Sequence, residues 1–191
     1  MSGYSHNKVL ITGGARSGKS TFAERLCAAE HTRAWYIATA QAADDEMRER
    51  VNLHRQQRQE SGYAWEICEE PLELPALLRR LATQDRVPAL LIDCLTLWLS
   101  NVLLHHEHDH DVKEQVFQQV DELIAAIEAY PGAIMMVTNE VGDGIVPAYS
   151  LGRLYRDLAG TANRRVAAVC SRVFLVTAGI PVELKSREYQ L

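Results

Sequence analysis

The chain has 191 residues, of which 47% are hydrophobic and 24% are charged, and its formal net charge is −5. This length suits one domain over residues 1–191, and the ordinary globular proportions exclude a wholly disordered protein. The negative net charge argues against a nucleic-acid partner, because DNA and RNA are themselves polyanions.

The first half of the chain alternates short apolar runs with stretches of helical character. Proline favours the first turn of a helix, so we expect one helix to begin at Pro71. In chain order, we predict a strand over Val9–Thr12, a helix over Lys19–Glu30, a strand over Trp35–Thr39, a polar helix over Asp44–Gln59, a strand over Ala64–Cys68, a helix from Pro71 to about Ala82, and a strand over Ala89–Ile92.

The second half continues the same alternation. We predict a helix over Val112–Tyr130, a strand over Ala133–Thr138, a helix over Leu151–Cys170 in which Gly160 is a weak point, and a terminal hairpin of Val173–Val176 and Pro181–Leu184. Strands separated by helices predict an α/β fold, with a mostly parallel sheet flanked by helices and an antiparallel hairpin at its end.

We expect neither a targeting segment nor a membrane span. Residues 1–8 are polar, and the apolar region 88–104 is interrupted by polar side chains, whereas a spanning helix needs about 20 apolar residues. The four cysteines are widely spaced and form no CxxC pair, which is typical of reduced thiols in a cytoplasmic protein.

A histidine-rich stretch, residues 105–110, has an unusual composition with four histidines in six residues. One interpretation is a metal site, because imidazole is a common metal ligand. We favour a solvated loop between two helices, because the histidines lack a fixed helical spacing.

The strongest motif lies between the first predicted strand and the first predicted helix. It fits the pattern G-x-x-x-x-G-K-[ST] at every fixed position, and its residues are Gly13, Gly14, Ala15, Arg16, Ser17, Gly18, Lys19 and Ser20. The glycines permit backbone conformations in which N–H groups and the helix N-terminus converge on phosphate oxygens. We expect Lys19 to reach the β- and γ-phosphates and the Ser20 hydroxyl to ligate Mg²⁺. The motif therefore predicts a P-loop nucleotide-binding domain.

Other polar residues follow predicted core strands. Asp93 ends one of them, and a carboxylate at the carboxyl end of a parallel strand faces the ligand crevice. Asp93 is either a magnesium ligand or a cap of the next helix, and we favour the first. Asn139 and Glu140 follow another core strand and should also lie at the edge of the crevice. They either form a simple strand-ending turn or contact the substrate or another subunit, and we favour the second without a specific assignment. These features predict nucleotide-dependent phosphoryl chemistry without identifying a substrate.

Four further segments accompany the phosphate loop in a fixed order: Tyr36 to Ala40, Asp45 to Arg58, Val137 to Pro147, and Tyr155 to Asn163. With them, the chain resembles the bifunctional adenosylcobinamide kinase/adenosylcobinamide-phosphate guanylyltransferase family of cobalamin biosynthesis. The resemblance extends from about Lys8 to Lys185.

The resemblance implies two reactions on one P-loop scaffold. ATP or GTP first phosphorylates the aminopropanol hydroxyl of adenosylcobinamide. GTP then transfers GMP to an enzyme histidine, and the phosphorylated substrate takes the GMP to give adenosylcobinamide-GDP. The resemblance also implies a RecA-like fold with a mostly parallel sheet. It further implies a homo-oligomer, namely a homotrimer with its sites near the subunit contacts.

The resemblance also implies roles for individual residues. His54 matches the histidine that accepts GMP, and Lys19 belongs to the triphosphate loop. Glu69 matches an acidic nucleotide contact, for which Glu66 is a rival. The remaining matched nucleotide contacts are Ala38, Thr39, Ala40, Arg55, Gln56, Gln57, Arg58 and Asp93.

Two alternatives to the bifunctional enzyme stay open at this point. One is a kinase-only relative that keeps His54 but has lost GMP transfer. The other is a nucleotide switch or motor-type ATPase, although 191 residues leave little surface for the partner that such a protein drives.

Overall fold

A computed structural model describes residues 7–41 and 60–189 of the chain. Its strands are β1 (Lys8–Thr12), β2 (Arg33–Ala38), β3 (Ala64–Glu69), β4 (Leu90–Asp93), β5 (Ile134–Val137), β6 (Arg172–Thr177) and β7 (Ile180–Glu183). Its helices, numbered here within the described ranges, are α1 (Lys19–Glu30), α2 (Leu74–Ala82), α3 (Leu95–His105), α4 (Val112–Ala129) and α5 (Ser150–Val169), followed by a short 3₁₀ turn at Lys185–Arg187. The helix predicted over 44–59 lies outside the described residues.

The strands form one seven-stranded sheet in the order β3-β2-β4-β5-β1-β6-β7. Every neighbouring pair is parallel except β6 and β7, which form an antiparallel hairpin. The predicted α/β class, the parallel sheet and the terminal hairpin are therefore confirmed. Because β1 lies between β5 and β6, the loop that follows β1 opens near the middle of the sheet's carboxyl edge.

Helices cover both faces of the sheet, which explains why all five residues of β1 are buried. On one face, Leu10 belongs to the larger hydrophobic cluster with residues of α2, α3, α4 and α5. On the other face, Val9 and Ile11 pack in a second cluster that includes Ala23 and Cys27 of α1. This alternation follows the two-residue period of a strand.

One predicted helix start is wrong. Pro71 lies in a bend, and α2 begins three residues later, at Leu74, with Pro75 in its first turn. The Glu70 carboxylate accepts hydrogen bonds from the backbone N–H groups of Leu72 and Glu73, at 3.2 and 2.8 Å, and these bonds hold the chain in a turn. The proline preference for a first helical turn is satisfied by Pro75 instead.

The helix predicted over 151–170 is observed as α5, and it continues through Gly160 without a break. Within residues 7–41 and 60–189, no helix is both long and apolar enough to cross a lipid bilayer.

Candidate functional site

The turn between β1 and α1 has the backbone geometry expected of a phosphate-binding loop. Gly18, directly before α1, adopts a left-handed conformation with φ of 92°, which favours glycine, and Arg16 also has a positive φ of 56°. No side chain caps the first turn of α1. Its N–H groups are therefore available to an anion, and the helix dipole adds to the attraction.

Gly13 is required by a close approach of the backbone. A Cβ atom at this position would lie 2.4 Å from the Val176 carbonyl oxygen and 2.7 Å from the Ser17 Oγ. Neither distance is compatible with a side chain, and the nearer atom belongs to the backbone of β6. The loop is thus packed directly against the last part of the sheet.

Lys19 and Ser20 occupy the first turn of α1, as the motif requires. Lys19 is only 8% exposed, and its Nζ donates a hydrogen bond of 3.0 Å to the Gly14 carbonyl. The ammonium group is therefore held over the loop, where phosphate oxygens would replace or share this bond. The half-buried Ser20 follows it at the same end of the helix.

Asp93 is the last residue of β4, and its Oδ2 accepts a hydrogen bond of 2.9 Å from the Tyr36 hydroxyl. Leu91, two residues earlier, packs in the cluster that includes α1. Since side chains two residues apart on a strand share a face, Asp93 is on the α1 side of the sheet. Ser20 lies in the first turn of α1, on this same side of the sheet. Serine and carboxylate oxygens are suitable Mg²⁺ ligands, so this pair could hold the metal together with substrate phosphates and water.

The segment after β2 is built into the edge of the sheet. Thr39 is fully buried; its hydroxyl donates to the Cys94 carbonyl at 2.7 Å and accepts from the Cys94 N–H at 2.9 Å. The Thr39 carbonyl accepts a bond of 2.8 Å from Asn101. The Thr39 side chain therefore fixes this segment, while Ala38 and Ala40 lie beside it.

The positions of the two rival glutamates differ. Glu69 ends β3 in register with Ala38, at the same edge of the sheet as the phosphate loop. Glu66 pairs with Trp35 and lines a separate cavity of about 610 Å³ with Arg33 and Arg86, at the opposite end of the strands. Position along the strand therefore favours Glu69 over Glu66 as the acidic nucleotide contact.

The sequence predicts Asn139 and Glu140 at the crevice edge, and both are there, but it does not predict the contacts of Glu140 with Thr12 and Gly13. The Glu140 Oε1 accepts a hydrogen bond of 2.6 Å from the Thr12 hydroxyl, and the Glu140 N–H donates to the Gly13 carbonyl at 3.1 Å. No sequence signal predicted these contacts, because they depend on β5 lying beside β1 in the sheet.

None of the four cysteines has the character of a nucleophile. All four are free thiols. Burial raises the pKa of Cys27 to about 11 and that of Cys170 to about 12, and it also raises the pKa of Cys68 and Cys94. Each thiol therefore stays protonated near neutral pH, whereas covalent catalysis requires the thiolate.

The histidine-rich stretch forms the end of α3 and the turn before α4, as the loop interpretation predicts. The His106 Nδ1 lies 2.7 Å from the Asp109 Oδ2 within that turn. Among the residues described, no group of three or more His, Cys, Asp or Glu side chains could hold a metal ion.

His54, Arg55, Gln56, Gln57 and Arg58 lie outside the described residues, so their placement relative to the loop is not part of this geometry. The site as described consists of the loop 13–20, the ends of β2, β3 and β4, and the Asn139–Glu140 step after β5.

Comparison with known proteins gives consistent matches over most of the chain. The family model described as cobinamide kinase / cobinamide phosphate guanyltransferase matches residues 9–184. The bifunctional adenosylcobalamin biosynthesis protein CobP of Pseudomonas aeruginosa is 45% identical over 176 residues, covering 92% of this chain and 96% of that protein. The bifunctional adenosylcobalamin biosynthesis protein CobU of Escherichia coli is 40% identical over 185 residues, covering 93% and 99% of the two chains.

Proposed function

The chain belongs to the cobinamide kinase / cobinamide phosphate guanyltransferase family, and we propose that its single phosphate loop serves both reactions of that family. It is a bifunctional kinase and guanylyltransferase of adenosylcobalamin biosynthesis. The sequence contains one G-x-x-x-x-G-K-[ST] motif, at Gly13 to Ser20, and two nucleotide-dependent steps must therefore share it. This is the observation that carries the proposal.

In the kinase step, the aminopropanol hydroxyl oxygen of adenosylcobinamide attacks the γ-phosphorus of ATP or GTP. A new O–P bond forms, the bond to the β,γ-bridging oxygen breaks, and the nucleoside diphosphate leaves. The Lys19 ammonium, held over the loop by Gly14, offsets the charge that develops on the phosphate oxygens.

In the guanylyl step, we assign His54 as the nucleophile that attacks the α-phosphorus of GTP. A P–N bond forms and pyrophosphate leaves. A phosphate oxygen of adenosylcobinamide phosphate then attacks the same phosphorus, the P–N bond breaks, and adenosylcobinamide-GDP is released. A neutral imidazole suits this role, because its unperturbed pKa of about 6.5 leaves a free lone pair near neutral pH.

Other residues are proposed to bind the nucleotide and its metal. A nucleotide-using kinase of this type generally needs Mg²⁺, which shields phosphate charge when bound. We propose Ser20 and Asp93 as its protein ligands, supported by their oxygen donors on one side of the sheet. The further nucleotide contacts we propose are Ala38, Thr39, Ala40, Arg55, Gln56, Gln57, Arg58 and Glu69.

We also propose that residues 1–191 form one domain and that the protein is a homo-oligomer, a trimer by resemblance. Exposed apolar side chains in the edge strand β7 and directly after it support a subunit contact: Ile180 is 65% exposed, and Val182 and Leu184 are each 38% exposed. Light scattering on the purified protein tests this, and a strictly monomeric mass would contradict it.

The function is tested by supplying adenosylcobinamide, ATP, GTP and Mg²⁺ and separating the corrinoid products by chromatography and mass. We expect adenosylcobinamide-GDP. Accumulation of adenosylcobinamide phosphate alone would instead identify a kinase-only relative. Release of inorganic phosphate with unchanged corrinoid would identify a nucleotide switch or ATPase.

A further inference from the structure

Asp93 and Glu140 both have carboxylates at the carboxyl edge of the sheet, and of these two residues only Glu140 makes hydrogen bonds at the start of the phosphate loop. Asp93 is on β4, which is separated from β1 by β5, and it bonds to Tyr36. Glu140 follows β5, the neighbour of β1, and bonds to Thr12 and Gly13 through its side chain and its N–H. Of these two residues, Glu140 is therefore the one that contacts the start of the loop.

The contact is at the end of the loop where the γ-phosphate belongs. In a loop of this type, the motif lysine reaches the β- and γ-phosphates. Here the Lys19 Nζ donates to the Gly14 carbonyl, so the β- and γ-phosphates are expected near the Gly13–Gly14 end of the loop. The Glu140 N–H donates to the Gly13 carbonyl, and the Glu140 carboxylate accepts from Thr12, the residue directly before Gly13. The carboxylate therefore lies beside this end of the loop.

The backbone that carries Glu140 is fixed by its neighbours. The Asn139 Nδ2 donates to the Thr96 hydroxyl at 2.8 Å, and the Asn139 carbonyl accepts from Asn163 at 3.1 Å. Asn163 in turn accepts a bond of 2.7 Å from the Thr138 hydroxyl. These bonds connect the end of β5 to α3 and α5, so Glu140 is held in place before any substrate binds, as a catalytic group should be.

The Glu140 carboxylate has one oxygen that accepts no hydrogen bond from the described residues. Glu140 is half-buried, and its Oε1 accepts a hydrogen bond from the Thr12 hydroxyl. No residue within 7–41 or 60–189 donates a hydrogen bond to its Oε2. A carboxylate oxygen at the crevice is thus free to meet a hydroxyl group of a substrate.

The three chemical steps differ in whether they need a proton acceptor. The kinase nucleophile is a neutral hydroxyl, which must lose its proton as the O–P bond forms. The histidine attacks through a lone pair that is already free, and the phosphate that attacks the GMP adduct is already ionised near neutral pH. A general base is therefore required in the kinase step alone.

We propose that Glu140 is the general base of the kinase step, an assignment that rests on the proposed function. The proton moves from the substrate hydroxyl to the Glu140 Oε2 while the oxygen forms its bond to the γ-phosphorus and the nucleoside diphosphate leaves. Glu140 then releases the proton to solvent. Both guanylyl steps proceed without it.

The test is Glu140→Gln, which keeps the shape and the acceptor oxygen for Thr12 but removes the basic carboxylate. We expect the kinase kcat to fall by about 100-fold or more, the usual contribution of a general base. The affinity for ATP, the formation of the GMP adduct from GTP, and the conversion of supplied adenosylcobinamide phosphate to adenosylcobinamide-GDP should each stay within about threefold of wild type. In Glu140→Ala, added formate should restore part of the kinase rate.

Two control variants distinguish the loss of the Glu140 carboxylate from the loss of a nearby charge or of the hydrogen bond to Thr12. Asp143→Asn removes the charge of an exposed acid three residues further along and should leave all steps unchanged. Thr12→Val removes the hydrogen bond to Glu140 but keeps the carboxylate, so it should retain most of the kinase rate.

Two results would overturn the assignment. If Glu140→Gln lowers nucleotide affinity and both activities together, Glu140 only supports the loop. If the variant keeps wild-type kinase turnover, it is not the base. Either result leaves the proposed function intact, whereas a wild-type protein that makes no corrinoid phosphate would overturn both.

Discussion

The Gly179 N–H donates a hydrogen bond of 2.9 Å to the Ser17 carbonyl, which fastens the turn of the C-terminal hairpin to the phosphate loop. Ala178 and Gly179 both have positive φ, 51° and 79°, as the two central residues of a tight hairpin turn require. Hairpin and loop also meet where Gly13 approaches the Val176 carbonyl. The last two strands therefore shape the nucleotide site as well as completing the sheet.

Gly13→Ala tests this packing. Its Cβ would lie 2.4 Å from the Val176 carbonyl oxygen, so either the loop or β6 must move. We expect a loss of stability of about 1–3 kcal/mol and a clear loss of ATP affinity, measured by thermal unfolding and calorimetry. Gly160→Ala is the matched control, because a Cβ there meets nothing within 4 Å and should leave ATP affinity unchanged. Equal ATP affinity in both variants would contradict the account.

Lys19→Ala should abolish the kinase and guanylyl steps together while the protein stays folded. Both steps use the same triphosphate loop, and the lost ammonium group removes a few kcal/mol of transition-state stabilisation, about 100-fold or more in rate. Lys113→Ala, an exposed lysine of α4, controls for a general loss of positive charge. Near-wild-type turnover in either reaction by a folded Lys19→Ala protein would be incompatible with a shared site.

Asp93→Asn should shift the Mg²⁺ titration of both steps to higher concentration, because a neutral amide is a weaker ligand than a carboxylate. Tyr36→Phe is the control, since it removes the 2.9 Å hydrogen bond to Asp93 and keeps the carboxylate. If the two variants behave alike, or if the Asp93→Asn midpoint is unchanged, Asp93 has a structural role and does not bind the metal.

Glu183, at the end of β7, should make folding stability depend on pH in the acid range. Hydrogen bonds from the Ser186 hydroxyl and from the backbone N–H groups of Ser186, Val173 and Lys185 lower its pKa from 4.5 to about 2. Because the folded pKa is depressed, the stabilisation is complete above about pH 4.5 and is lost as the pH falls toward 2.

Urea unfolding of wild type and Glu183→Gln measures this effect. The difference in the free energy of unfolding between the two proteins should be largest near pH 7 and should shrink between pH 4.5 and 2. A difference that stays constant over that range would show that the Glu183 charge is not involved.

Most of the fold could be predicted from the sequence, because the central strands β1, β4 and β5 are buried and read as short apolar runs between helices. The bounds of α1 were predicted correctly from the motif at its start. The start of α2 was not, because Pro71 and Pro75 offer the same local signal. The choice between them depends on the Glu70 carboxylate, whose bonds to Leu72 and Glu73 hold the intervening turn.

The site was predictable only in part. A fixed local pattern identified the phosphate loop, and the end of a buried strand identified Asp93. The bond between Thr12 and Glu140 joins residues 128 positions apart, and it depends on β5 being inserted beside β1. Local pattern does not contain strand order, so the sequence placed Glu140 at the crevice but gave it no role.

The most direct test of the central claim is the intact mass of the protein after incubation with GTP and Mg²⁺, followed by peptide mapping. We predict a single added GMP on His54, stable in alkali and labile in acid as a P–N bond is, and its absence from His54→Ala. That variant should also lose the guanylyl step but keep kinase activity with ATP, because His54 takes no part in γ-phosphoryl transfer. GMP found on another residue, or adenosylcobinamide-GDP made by His54→Ala, would contradict the account.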